Sequence, residues 1–249
     1  VNSLKVRLPH LLQWLSSHQP DVMCLQETKL EDEAFPIADI ATAGYRVLYT
    51  GQKTYNGVAI LSREPASEIV NGLPGFETPQ KRLLAATIGD VRYVCVYVPN
   101  GESPTSDKYD FKLRWLAALR DWLRGELVRY PRLAVLGDYN IAPEDRDVHD
   151  PALWEGRIHF SEPEKAALRE LFALGLKDAF RLFVQPPGSY TWWDYRMNAF
   201  RRKMGLRIDH ILLSPALAAA CKGCAIDVEP RCLERPSDHA PVYADFVGH

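Results

Sequence analysis

Four apolar, strand-like runs of this 249-residue chain meet carboxylate or amide residues at one end. "DVMCLQET" runs into Gln26 and Glu27, "LAVLGDYN" into Asp138 and Asn140, and "RIDHILLS" starts from Asp209 and His210. "RPSDHAPV" places Asp238 and His239 just ahead of a strand-like run over residues 241–246. Rigid strand ends fix polar side chains while the adjoining loops leave them accessible. Most strands end in polar turns, and "RPSDHAPV" read alone is equally an ordinary turn with a surface histidine. The recurrence weighs against that reading, because carboxylates gathered from several strands form a like-charged cluster that a cation must offset.

The remaining pattern is α/β. Leu8, Leu11, Leu12 and Leu15 predict a helix over residues 7–18; apolar positions from Trp115 to Leu127 predict a long one over 111–129; a third is expected over 162–174. "GVAILS", "LLAATI" and "VRYVCVYV" read as strands, and "YTWWDY" as a strand or turn. No repeat or linker divides the chain, and 47% hydrophobic content supplies a large core, so one layered α/β domain over residues 1–249 is expected.

Composition excludes some classes. No run of ~18 apolar residues spans a bilayer, and no basic-then-apolar leader is present. The five cysteines, an odd number with Cys24 and Cys95 inside strand-like runs, point to reduced thiols and a cytoplasmic setting. "CKGC" (Cys221, Cys224) has only Cys232 nearby and lacks a fourth zinc ligand. A net charge of −2 does not hold a protein on nucleic acid by bulk attraction, though the local patch Arg201, Arg202 and Lys203, flanked by Arg196 and Arg207, is either a nucleic-acid contact or a solvated loop.

"LQETK" (25–29), "GDYNIAP" (137–143), "YTWWDYR…GLRIDHILLS" (190–214) and "RPSDHAPV", in that order, resemble the exonuclease III-type apurinic/apyrimidinic endonucleases of the endonuclease–exonuclease–phosphatase superfamily. The resemblance implies a four-layered α/β sandwich, two packed mixed sheets flanked by helices, with the site at their rim. It also implies a Mg²⁺ ion (Mn²⁺ as a substitute) and, as substrate, double-stranded DNA with abasic sites or 3′ ends, cut by a monomer. By the same resemblance Glu27 and Asp238 are the metal carboxylates, and Asp138, Asn140, His239 and Asn2 surround the ion. Asp138 positions or deprotonates water, and Asn140, on the same side of an extended segment, orients water or phosphate. His239 donates to a phosphate oxygen, Asp209 fixes its imidazole, and Tyr97 contacts phosphate. Trp192, Leu206 and Ile208 line a pocket for a base-less sugar, with Ile208 readable as core as well, while Trp193 belongs to the core.

The family's amino-terminal motif is met only from Val1-Asn2-Ser3-Leu4 onward, so its first asparagine and first strand are expected ahead of Val1. At His159 the resemblance implies a smaller side chain; here the imidazole is expected to overhang the groove and to favour 3′-end processing over internal abasic incision. Phosphoinositide phosphatases and sphingomyelinases of the superfamily are the alternative enzymes, and a DNA-binding module with a decayed site is the non-enzymatic one.

Overall fold

The computed structural model describes residues 1–248. In chain order its elements are α1 (Leu4–His18), β1 (Val22–Gln26), α2 (Ile37–Thr42), β2 (Arg46–Thr50), β3 (Val58–Ser62), β4 (Ala66–Asn71), β5 (Leu83–Ile88), β6 (Val91–Tyr97), α3 (Asp107–Arg129) and β7 (Leu133–Asp138). There follow α4 (Pro151–Trp154), α5 (Glu162–Ala173), β8 (Lys177–Asp178), β9 (Trp192–Trp193), β10 (Gly205–Leu206), β11 (Asp209–Leu213), α6 (Pro215–Ala220), β12 (Cys221–Ile226) and β13 (Val242–Phe246).

A six-stranded sheet, β4-β5-β6-β7-β11-β8, forms the frame. It is mixed: β6 and β7 run parallel, and β11 is antiparallel to both of its neighbours. Strand alternation splits its apolar residues between two faces. Leu83, Ala85, Val94, Val96 and Val135 pack on one face against Trp115, Leu116, Leu119 and Leu123 of α3 and Leu168 and Leu171 of α5. Leu84, Ala86, Ile88 and Cys95 meet Val58 and Ile60 of β3 on the other. Because β3 is buried on both sides, its Ala59 and Leu61 face outward to Leu11 and Leu15 of α1 and Ile40 of α2. The result is the expected order helix, sheet, sheet, helix.

The second sheet layer is divided. It consists of two antiparallel pieces, β1-β3-β2 and β12-β13. β12 and β13 cover the other half of the large sheet, with Cys224, Val242, Ala244 and Phe246 against Ala134, Ile211 and Leu213. Between the two pieces lies a cavity of about 400 Å³, bordered by residues of β1 and β13 and ending at Glu27, Asp138 and His239.

Two helices begin earlier than their apolar stripes. α3 starts at Asp107 because Ser106 caps it, accepting from the Lys108 N–H. β2, the largely exposed β4, α2 and β12 carry weak periodicity and are read only from the structure. No helix among the described residues is long and apolar enough to cross a membrane.

Candidate active site

Adjacent strand ends level the acidic residues. Asp138 at the end of β7 pairs in register with Tyr97 of β6 and with Asp209 of β11. Gly137 permits that approach: its φ is 147°, and a Cβ there would lie 2.0 Å from the Val96 carbonyl oxygen. From the facing sheet, the turn after β1 brings Glu27 over the same point. His239 arrives from the loop before β13 through a bridge to Trp192.

One ligand atom each from Glu27, Asp138 and His239 lies within 4.8 Å of the others. His239 Nδ1 is 2.8 Å from Asp209 Oδ2, so the ring donates from Nδ1, and its Nε2 faces Asp138 Oδ2 at 3.7 Å. Burial alone would lower the imidazole's pKa, but Asp209, Asp238 and Asp138 outweigh it and lift it to about 10. Asp138 is 2% exposed, and burial, with Asp209 and Glu27 beside it, pushes its carboxyl up to about 8. A carboxylate cluster this poorly compensated fits a divalent cation: Glu27 and Asp138 offer the hard oxygens that Mg²⁺ prefers.

Asp238 is held from two sides. Its Oδ1 accepts from Asn2 Nδ2 and its Oδ2 from Trp192 Nε1, both at 3.0 Å. Burial would raise its pKa, but His239 and those two donors keep it below the ordinary range. Its carboxylate therefore stands beside the group formed by Glu27, Asp138 and His239 rather than within it. Lys29 Nζ donates to Asn2 Oδ1 at 2.7 Å, which orients the Asn2 amide toward Asp238, and lies 3.6 Å from Glu27. Lys29 belongs to the "LQETK" run, but nothing in the sequence signals its contact with Asn2. Tyr97 is buried under Arg82, whose guanidinium sits 4.7 Å from the ring centroid, and burial with Glu27 and Asp138 holds its phenol well above the usual range.

Residues 1–239 match the Endonuclease/Exonuclease/phosphatase family. The chain belongs to that family. Within it, exodeoxyribonuclease III of Haemophilus influenzae is 37% identical over 260 residues, covering 99% of this chain and 97% of that protein. A Neisseria 3′ phosphatase bound to a product DNA hairpin superposes with a TM-score of 0.98 at 48% identity, covering 100% of this chain and 97% of that one. An AP endonuclease from Archaeoglobus fulgidus gives 0.95 at 39%, covering 99% and 96%. The chain is thus an exonuclease III-type member of the family, as its motifs imply.

Within this family site, four expectations need correction. Asn140 is not extended: its φ is 51°, a left-handed conformation asparagine tolerates, and its side chain donates to the Val98 carbonyl at 2.9 Å. Arg207 is not at a DNA surface. It is 1% exposed, and Asp147 and Asp178 neutralise it at 2.7 Å each. His159 does not overhang a groove. It is 5% exposed, donates from Nδ1 to the Asn140 carbonyl at 2.8 Å, and packs 6.0 Å from the Trp192 ring. Leu206 and Ile208 do gather with Trp192, Val148 and Phe160, but they are buried beneath the half-buried Trp192 rather than lining an open pocket. Arg196 is exposed and paired with Asp194; Arg201, Arg202 and Lys203 are exposed beside it.

Proposed function

We propose that the chain is a Mg²⁺-dependent DNA repair nuclease that hydrolyses phosphodiester bonds at 3′ ends and at abasic sites, with 3′-end processing dominant. The observation that carries this reading is His239 held between Asp209 and Asp138 beside Glu27. Glu27 and Asp138 would hold the ion, with Asp238 and Asn2 ordering the loop next to it. A divalent cation bound there supplies charge neutralisation for the phosphate and a lower pKa for attacking water. His239 is better suited to the phosphate than to the metal. Its neighbours keep it protonated, so it donates a charge-assisted hydrogen bond where negative charge develops.

Asp138, buried at the end of β7, accepts the proton as water oxygen bonds to phosphorus. The bond from phosphorus to the leaving oxygen breaks, and that oxygen takes a proton from solvent. Asp209 keeps the imidazole in one orientation throughout. Tyr97 lies on the β6 side of the same point, within reach of a phosphate oxygen.

His159 agrees with the preference for 3′ ends, because its ring packs 6.0 Å from Trp192, the side chain expected to meet a base-less sugar. The 3′ phosphatase activity in the name of the 48%-identical Neisseria protein agrees with it. Nuclease relatives likewise favour DNA over an inositol lipid or sphingomyelin. One copy of the chain holds every group named, so a monomer is the working unit; the free thiols fit a reducing, cytoplasmic compartment. The test is a labelled abasic duplex beside a 3′-recessed and a 3′-phosphorylated duplex, with Mg²⁺, with Mn²⁺ and with chelator. Faster 3′ processing that chelator abolishes is expected; metal-independent cleavage or no cleavage would overturn the reading.

A further inference from the structure

Lys112 is a buried cation that the reaction described above does not use. It projects from α3 and is 0% exposed, an unusual setting for an ammonium. All of its donors are engaged. Nζ donates to the Asn140 carbonyl at 2.7 Å, to the Asn100 carbonyl at 3.1 Å, and to Glu164 of α5. Asn100 follows β6 and Tyr97; Asn140 follows β7 and Asp138. One charged group thus ties together the loops that leave two neighbouring strands of the site.

The connection to Asp138 is direct. The Asn140 N–H donates to Asp138 Oδ1 at 2.9 Å, and this requires Asn140 to keep its left-handed φ of 51°. Its carbonyl, on the other side of the residue, is fixed by Lys112 and by His159 Nδ1. Glu164 neutralises Lys112 and also accepts from the backbone N–H groups of His159 and Ser161 and from the Ser161 hydroxyl. Space is reserved for the lysine stem at Gly101, where φ is +87° and a Cβ would come 3.0 Å from Lys112 Cδ.

We propose that Lys112, neutralised by Glu164, is a positioning residue for the phosphodiesterase reaction: it holds Asn140 so that Asp138 presents one fixed carboxylate orientation to water. This inference rests on the nuclease reading. A buried pair that served the fold alone would behave like Arg92–Glu126. That pair is also anchored on α3 and similarly buried, with Nε to Oε2 at 2.9 Å, but it lies at the far end of the helix.

The test compares Lys112→Met with Glu126→Gln. Both should lower the melting temperature. Assayed well below it on a 3′-recessed duplex with Mg²⁺, Lys112→Met should lose about 100-fold in kcat, as a small misplacement of a reacting group does. KM, and the Kd for the same duplex in chelator, should stay within about twofold of wild type, since no substrate contact is removed. Glu126→Gln should keep its kcat. In the metal-free protein, hydrogen exchange at the Asn140 amide should speed up about tenfold in Lys112→Met while the amides of β3 are unchanged.

If the methionine variant does not fold, Lys112→Arg is read in the same way, because its planar fork cannot serve the same three acceptors. Failure of both to fold assigns Lys112 to the fold alone and overturns the proposal. So does a kcat near wild type, an equal kcat loss in Glu126→Gln, or an unresponsive Asn140 amide. A wild type that leaves DNA uncut while that amide responds overturns the nuclease reading instead, and leaves the clamp standing.

Discussion

Trp192 Nε1 donates to Asp238 Oδ2 at 3.0 Å, so the aromatic above the apolar cluster also holds the loop that carries His239. Trp192→Phe keeps a ring over Leu206 and Ile208 but leaves that carboxylate oxygen without its donor. A hydrogen bond to a charged group contributes about 1.5–3 kcal/mol, and only part of it bears on the transition state. The expected result is a fall of about tenfold in kcat/KM on a 3′-recessed duplex, with a lowered melting temperature. An unchanged kcat/KM would show that the indole donor has no part in ordering the site.

Asp138→Asn retains an oxygen to accept the Asn140 N–H but removes the proton acceptor. Cleavage should drop by at least ~10²-fold while duplex binding in chelator stays close to wild type. A variant that keeps most of the wild-type rate would remove Asp138 from the chemistry.

Glu27→Ala removes one of the two candidate oxygen ligands. The Mg²⁺ concentration for half-maximal rate should rise, and saturating Mg²⁺ should restore part of the activity. A rate loss with an unaltered Mg²⁺ titration would show that Glu27 acts otherwise.

Most of this site was legible because its residues sit at strand ends, where sequence order predicts place. Glu27, Asp138, Asp209 and His239 each follow or precede an apolar run, and neighbouring strands bring them level. Contacts between distant segments left no such trace. Asn2 and Asp238 are 236 positions apart, and nothing near Asp238 announces the amide that holds it. Charge in a loop reads as solvated, so in sequence Arg207 looks like its exposed neighbours Arg201 and Arg202, whereas in the fold Asp147 and Asp178 surround it. Lys112 lies in an amphipathic helix whose pattern gives no sign of its burial, because its partner Glu164 lies in α5.

Stability should fall in mild acid through His159. Burial first, and then the Lys112 ammonium, lower its pKa to about 4 from 6.5. Above pH 6.5 the ring is neutral both folded and unfolded, and the contribution is complete. Between pH 6.5 and about 4 the unfolded chain takes up a proton that the folded one refuses, so stability drops by about 1.4 kcal/mol per pH unit. Unfolding free energies from urea titrations at pH 7 and pH 5 should therefore differ by roughly 2 kcal/mol more in wild type than in His159→Gln, which has no proton to gain. Equal differences in the two proteins would mean that His159 is not buried neutral.

His159 also bears on which substrate is preferred. Its φ of 74° suits glycine, so His159→Gly relieves backbone strain of about 1 kcal/mol but forfeits a larger packing term of about 2–5 kcal/mol. The protein should fold less stably, with room opened beside Trp192 and Trp154. A sugar without its base needs room to turn out of an internal duplex, whereas a 3′ end is already frayed and needs less unstacking. Internal abasic incision should therefore gain on 3′-end processing in the variant, measured as the ratio of kcat/KM on the two duplexes below its melting temperature. A ratio that matches wild type, with both substrates cut at comparable rates to begin with, would show that the imidazole does not govern the choice.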